Sequence, residues 1–273
     1  MNQVALITGC SSGIGAALAK ECLHQGWTVY AGVRRLDSLP LAQHPKLYPL
    51  HLDVNDAQAI QRCAAQIQQQ QGRLDYLINN AGFAAMGPLM EMSEERLAQQ
   101  FRTNVFAPIQ LTQACLPLLR AANSASVINI GSVSGILTTP FSGAYCASKA
   151  ALHSLSDALR LELKPFGINV ITVQPGAIES GFGDNSLAGL DSIAEGSIYA
   201  PWRQHIEARA VASQQNPTAA TEFAQQLLAR LKQAPKAEIR LGNGSSALPA
   251  MKRWLPTAWR DRILAKRFGL NKK

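Results

Sequence analysis

Short apolar strand-like runs recur along this chain with helix-length segments between them: VALIT at 4–8, TVYAGV at 28–33, YLINNA at 76–81, SVINI at 126–130, NVITVQ at 169–174 and EIRLG at 238–242. A strand with one solvated face alternates apolar and polar residues, whereas continuous apolar character suits strands covered on both faces. Crossover segments between successive runs make such strands parallel. The pattern therefore predicts an α/β chain: one Rossmann-type domain with a doubly wound parallel sheet and flanking helices. A length of 273 residues is enough to cover that sheet with a sizeable core, and 47% apolar with 16% charged residues is a globular balance rather than a disordered or fibrous one.

The net charge of +8 raises nucleic acid as a partner, and its placement argues against it. Residues 251–273 hold eight Lys or Arg and one acid, so +7 lies in the tail and only +1 in residues 1–250. A nucleic-acid-binding domain spreads its charge over a face of the fold. Cys10, Cys22, Cys63, Cys115 and Cys146 are scattered with no C-x-x-C spacing, the pattern of buried thiols in a reducing compartment. The start MNQVALITG runs directly into the first strand without an export signal, and no apolar run reaches membrane-spanning length. A cytoplasmic location is expected. The glutamine-rich QIQQQQG continues a helical pattern that ends at Gly72, and Pro217 stands near the start of a helix running to about Gln233. Periodicity is lost from 181 to 216, which suits a lid or binding loop.

Two motifs carry chemistry. After the first run comes TGCSSGIG, with Gly9, Gly13 and Gly15 leading into a helix. Glycines allow a sharp strand-to-helix turn, and the bare N–H groups at a helix start attract an anionic pyrophosphate. The second is GAYCASKAAL, where Tyr145 and Lys149 lie four positions apart and so share one helical face.

TGCSSGIG, NNAG at 79–82, Ser132 and Tyr145-x-x-x-Lys149, met in this order, resemble the short-chain dehydrogenase/reductase superfamily. The resemblance covers residue 2 to roughly 245 and implies a nicotinamide-dependent oxidoreductase. It assigns a catalytic group to Asn104, Ser132, Tyr145 and Lys149, with Ser132 thirteen residues before the tyrosine and Ser134 the weaker candidate. Tyr145 would exchange a proton with the substrate oxygen, Lys149 would lower the phenol's pKa from its ordinary value near 10, and Ser132 would hold that oxygen. Asn104 would hold a helix distortion and a water reaching Lys149.

Cofactor contacts are implied for Gly9, Ser11, Ser12, Gly13, Ile14, Gly15, Arg34, Arg35, Asp53, Val54, Asn80, Ala81, Gly82, Tyr145, Lys149, Pro175, Gly176, Ile178 and Ser180. Within QPGAIES, Ser180 stands where the family has threonine. An NAD-selective member carries an acid at the end of the second strand, but here Val33 is followed by Arg34 and Arg35, which suit the 2′-phosphate of NADP. Asp37 lies too far along for the acidic role. Ser12 stands where a further basic residue is frequent, so NAD is the secondary expectation.

GCSSGIG, the VRR ending and YCASK resemble the branch that handles retinoids, steroids and other lipophilic alcohols or carbonyls. Phe141, Phe182, Tyr199 and Trp202 are candidates for an apolar lining and equally for the core. A 3-oxoacyl-thioester reductase and a non-catalytic NADP-binding sensor or scaffold are the alternatives. The domain is expected to occupy 1–245, with 181–216 as its substrate loop and 246–273 as a basic amphipathic extension. In that extension Leu255, Trp259, Ile263, Leu264 and Phe268 recur at helical intervals. Packing over the substrate loop or a partner subunit is favoured over peripheral contact with an anionic membrane. A homodimer or homotetramer, assembled through the helices near Asn104 and Tyr145, is expected.

Overall fold

Successive residues of a strand point to opposite faces of its sheet, so a strand covered on both sides feeds two separate cores. In β1 (Val4–Thr8), Ala5 and Ile7 enter one buried cluster while Val4 and Leu6 enter another. Residues 3–181, 186, 190, 196–233 and 236–271 are described in this computed structural model. The remaining strands are β2 (Thr28–Val33), β3 (Leu47–His51), β4 (Tyr76–Asn79), β5 (Ala125–Ile130), β6 (Ile168–Pro175) and β7 (Glu238–Leu241). They form one parallel sheet in the order β3-β2-β1-β4-β5-β6-β7.

The helices cover both faces. On one side α1 (Gly13–His24) and α7 (Ala220–Lys232) bring Leu18, Cys22, Phe223 and Leu227 against Ile7, Ile78 and Val173. On the other, α2 (Ala57–Gln71) and α4 (Ala107–Arg120) bring Ile60, Ile67, Leu111 and Leu118 against Leu6, Leu77 and Val127. The glutamine-rich run is the last part of α2, and Gly72, at φ 67°, ends it in the left-handed conformation that glycine adopts without strain. Strand order reverses between β1 and β4, so the loops after these strands diverge and open a crevice at the carboxyl edge of the sheet.

Three expectations change. β3 has no continuous apolar run, because LYPLH is an edge strand with only Leu50 buried and a proline inside it. The region from 181 to 216 is not wholly irregular: within it α6 (Arg203–Ala210) forms, and only Ile206 and Ala210 of its residues are buried, too few for a periodic signal. Phe182 lies outside the described residues. The tail is two helices, α8 (Ala247–Trp254) and α9 (Thr257–Arg267), because Pro256 removes a backbone donor at the junction and restricts Leu255 to extended backbone.

All five cysteines are buried, unpaired thiols. Among the described residues no group of His, Cys, Asp and Glu is arranged to hold a metal, and no helix is long and apolar enough to cross a membrane.

Phe223 is fully buried between α7 and the sheet. Phe223→Ala is expected to lower unfolding stability by about 3–5 kcal/mol, measured by urea denaturation; a loss under ~1 kcal/mol would contradict this packing.

Candidate active site

The carboxyl edge of the sheet opens into one cavity of about 1250 Å³, walled by the loops after β1, β2, β4, β5 and β6 and roofed by α6, α8 and α9. Its floor begins with the glycine turn. Gly9 (φ 73°) and Gly13 (φ 53°) both hold backbone that side chains disfavour. A Cβ at Gly9 would stand 2.9 Å from Ala81 Cα, and one at Gly13 would stand 2.6 Å from Ser180 Cβ. The turn is therefore closed against the loops after β4 and β6, with Ser11, Ser12, Gly13 and Ile14 at the start of α1 facing the cavity. Gly15 lies off the wall, where a side chain would collide with the Gly9 carbonyl. It is a packing glycine rather than a contact.

Arg34, Asp53, Val54, Asn80, Ala81, Gly82, Pro175, Gly176, Ile178 and Ser180 also line the cavity. Arg35 does not: its guanidinium turns to Asp37, with Nε 3.3 Å from Oδ1. The helix cap of α2 is Asp56, whereas Asp53 accepts from the Asn55 amide at 2.9 Å and closes a local turn. Asn80 donates through Nδ2 to the carbonyls of Thr8 and Gly9 at 2.8 and 3.2 Å. This bond braces the glycine turn and explains why β4 stops before NNAG is complete.

α5 (Gly143–Glu162) carries Tyr145 in its first turn and Lys149 one turn on, both buried and both facing the cavity. Lys149 Nζ donates to the Ile130 carbonyl at 2.7 Å and lies 6.0 Å from the centre of the Tyr145 ring. Ser132 also faces the cavity, and its side chain hydrogen-bonds Tyr145. Its Oγ accepts from the Ser134 amide at 3.1 Å, so Ser134 contributes its backbone to orienting Ser132.

Asn104 sits behind the wall rather than on it. It occupies a π-helical turn, Arg102–Phe106, between α3 (Glu94–Phe101) and α4, and is 1% exposed. Oδ1 accepts from the Phe83 amide at 3.2 Å, while Nδ2 donates to the Phe83 carbonyl at 3.0 Å and Ser148 Oγ at 3.1 Å. Asn104 thus ties the loop after β4 to α5. A Cβ on Gly82 would lie 3.0 Å from Asn104 Oδ1 and 3.8 Å from Lys149 Nζ, so a glycine there keeps the two residues in reach.

Burial dominates the electrostatics. Tyr145 is pushed up to about 12 by desolvation, against the Ser132 hydrogen bond and the charge of Arg209, which favour the phenolate. Lys149 is pulled down to about 8 by the same cause. Lys149 holds its ammonium on the Ile130 carbonyl beside the Tyr145 ring, and Arg209 of α6 adds a positive charge that favours the phenolate.

Two residues escaped the sequence reading. His153 Nε2 accepts from the Ser132 amide at 3.3 Å, and burial followed by the Lys149 charge pulls its pKa down to about 4, leaving it neutral with its proton on Nδ1. Gly135 makes room for the ring, since a Cβ there would lie 2.7 Å from His153 Cε1. Tyr145, Lys149 and His153 lie at successive intervals of four, so helical spacing carried that signal. Arg209 had none, because it projects from a short polar helix. Of the two readings of the aromatic residues, the core one fits the described residues. Phe141, Tyr199 and Trp202 pack behind the wall, Phe141 edge to face with Phe268 of the tail at 6.1 Å, and the tail's Leu248, Met251, Ile263, Leu264 and Phe268 face the cavity instead.

The family model described as short chain dehydrogenase matches residues 3–191. A 3-ketodihydrosphingosine reductase of Bacteroides thetaiotaomicron is 40% identical over 67% of this chain and 66% of that protein. Human 17-beta-hydroxysteroid dehydrogenase type 1 is 33% identical over 91% of this chain and 80% of its own length. Among solved structures, a short-chain dehydrogenase from Streptomyces avermitilis superimposes with a TM-score of 0.80 at 31% identity, covering 97% of this chain and 95% of that one. One from Burkholderia cenocepacia in complex with NADP gives 0.77 at 26% identity over 96% and 98%, and one from Burkholderia phymatum in complex with NAD gives 0.78 at 26% over 96% and 95%.

A histidine whose folded pKa is depressed binds its proton more weakly than the unfolded chain does, so its neutral form is stabilising above about pH 6.5 and the advantage is lost as pH falls toward 4. His153→Gln retains an acceptor for the Ser132 amide without titrating. Its thermal midpoint is expected to fall less than wild type's between pH 6.5 and 4, and parallel curves would contradict the assignment.

Proposed function

The chain belongs to the short-chain dehydrogenase family, and from that premise we propose that it is an NADP(H)-dependent oxidoreductase acting on a lipophilic alcohol or carbonyl. The observation that carries this reading is the sharing of one cavity by the glycine turn, Arg34, Ser132, Tyr145 and Lys149. A dinucleotide fits that cradle, since positive-φ glycines bring backbone against the loops where side chains would stand. Bound there, the nicotinamide supplies or accepts the hydride.

The chain's own residues manage the proton. In the reducing direction Tyr145, held protonated by burial, donates its hydroxyl proton to the substrate oxygen. Ser132, steadied by the Ser134 amide, donates a second hydrogen bond to that oxygen as charge develops on it. Lys149 and Arg209 stabilise the phenolate left behind. Asn104 and His153 position α5 and Ser132 without touching substrate.

For the cofactor, Arg34 faces the cavity just beyond β2 and offers a bidentate grip for a 2′-phosphate, with no acid at the adjoining Val33. The NADP-bound Burkholderia cenocepacia structure supports this choice, and the NAD-bound relative marks the alternative. For the substrate, Met86, Leu248, Met251, Ile263, Leu264 and Phe268 make an apolar wall. Relatives named for 3-ketodihydrosphingosine and 17-beta-hydroxysteroid agree with it.

We assign 1–245 to dinucleotide and catalysis and 246–273 to covering the cavity, in a protein of the cytoplasm that keeps its buried thiols reduced. Exposed Phe106, Leu155 and Leu161 on and beside α4 and α5 support a homodimer. Exposed Trp254 and Trp259, set among the tail's basic residues, support peripheral contact with an anionic membrane.

Tyr145→Phe is expected to keep NADPH binding, read by cofactor fluorescence, while kcat for a lipophilic ketone falls by roughly 10²–10⁴. Arg34→Ala is expected to weaken NADPH about tenfold or more and leave NADH nearly unaltered. Full activity in the first variant, or equal losses of both cofactors in the second, would overturn the assignment concerned. Sedimentation velocity is expected to give a dimer and phosphatidylserine vesicles to pellet the protein; a 29.4 kDa monomer, or none pelleted, would overturn the respective proposal.

A further inference from the structure

Arg209 is the unusual feature of the cavity wall. It projects from α6 into the space above Tyr145, half-buried, with Nε donating to Thr139 Oγ1 at 2.9 Å and a further hydrogen bond to the Cys146 side chain. Neither partner is a carboxylate. Among the described residues no carboxylate forms an ion pair with it, and the carboxylates on the same wall, Asp53 and Glu95, make none with it. A second guanidinium borders the same space: Arg267 of α9, an exposed residue one turn after Ile263 and Leu264, also lines the cavity. The two positive charges repel each other, and burial with that repulsion lowers the pKa of Arg209. His205, on the same face of α6, lines the cavity beside them.

This arrangement is costly for the protein alone. Removing a guanidinium from water without a counter-charge is unfavourable, and placing a second one nearby adds to the cost. Thr139 and Cys146 satisfy part of the fork, and no carboxylate completes it among the described residues. An anion entering the cavity would relieve both terms, and a guanidinium fork matches the geometry of a carboxylate, phosphate or sulfonate. Apolar Leu264 and Phe268 flank the charges, so the matching molecule is amphiphilic: an apolar body with one charged end.

We propose that the substrate carries an anionic group held between Arg209 and Arg267, a few atoms from the carbonyl or alcohol carbon that faces Tyr145 and Ser132. The proposal rests on the oxidoreductase reading above and narrows its substrate class from lipophilic carbonyls in general to those bearing an acid. Arg209 then has two connected roles. It orients the substrate by its charged end, and its own charge favours the phenolate of Tyr145.

Two measurements test this. NADPH oxidation is followed with 4-oxodecanoate and its methyl ester as a matched pair, in wild type, Arg209→Gln, Arg209→Lys and Arg267→Gln. The acid is expected to be preferred in kcat/KM by roughly tenfold or more, with the preference lost in Arg209→Gln and partly retained in the other two. Calorimetric titration of decanoate and decanol, with and without NADP⁺, reads the subsite without turnover. Decanoate is expected to bind more tightly, less so at high salt, and to lose that advantage in Arg209→Gln.

Equal losses for acid and ester would show that Arg209 serves Tyr145 alone and would overturn the proposal, as would decanoate binding no better than decanol. Weakened NADPH affinity in Arg209→Gln, matching the loss for the acid, would identify the anion as the cofactor's own phosphate and would also overturn it. Decanoate binding with no turnover of either ketone would support the anion subsite and fault the oxidoreductase reading instead.

Discussion

Tyr145 and Lys149 are withdrawn from water together at the carboxyl edge of the sheet, and the surrounding residues answer the consequence. Desolvation favours the neutral form of each, so the phenol holds its proton up to about 12 and the ammonium gives its proton up near 8. A phenol that never ionises is a poor proton shuttle. The Ser132 hydrogen bond and the Arg209 charge act in the other direction, and the proton transfer we propose depends on the balance between them. Burial also removes competing water, which strengthens each of these local interactions.

Holding that balance requires elements far apart in the chain to meet within hydrogen-bond reach. β5 delivers Ile130 and the loop after it Ser132, α5 delivers Tyr145, Lys149 and His153, and the π-helical turn before α4 delivers Asn104. Asn104 and Ser148 bond to each other, and Asn79 on β4 bonds Asn129 on β5, so polar side chains lock the strands and helices around the site. The sheet supplies the rigid part because its central strands, β1, β2, β4, β5 and β6, are covered on both faces. The roof is formed differently, from short helices with few buried residues, and here substrate selection would reside.

The sheet's architecture was legible in the sequence because doubly covered strands need continuous apolar runs, and five of its seven strands have them, while β7 at one edge alternates exposed Glu238 and Arg240 with buried Ile239 and Leu241. β3 lacks one because an edge strand needs only a single buried residue, Leu50, on its inner side. Tyr145, Lys149 and Ser132 were legible through spacing along one helix and after one strand, and the structure brings them to one wall. Arg35 was misplaced because sequence adjacency to Arg34 does not fix direction: Asp37, two residues on, captures it. The aromatic residues stayed open between lining and core because ring size signals burial without saying on which side of a wall. Arg209 and Arg267 were illegible, since their meeting depends on how α6 and α9 cross.

The central claim is that burial keeps Tyr145 protonated in the free protein and that positive charge in the completed site releases it. Ultraviolet titration of tyrosinate, taken as the difference between wild type and Tyr145→Phe with and without NADP⁺, measures this directly. The account predicts no Tyr145 ionisation through the ordinary tyrosine range near 10 in the free protein, and ionisation within or below that range once NADP⁺ is bound. The same Tyr145 titration in both conditions would contradict it.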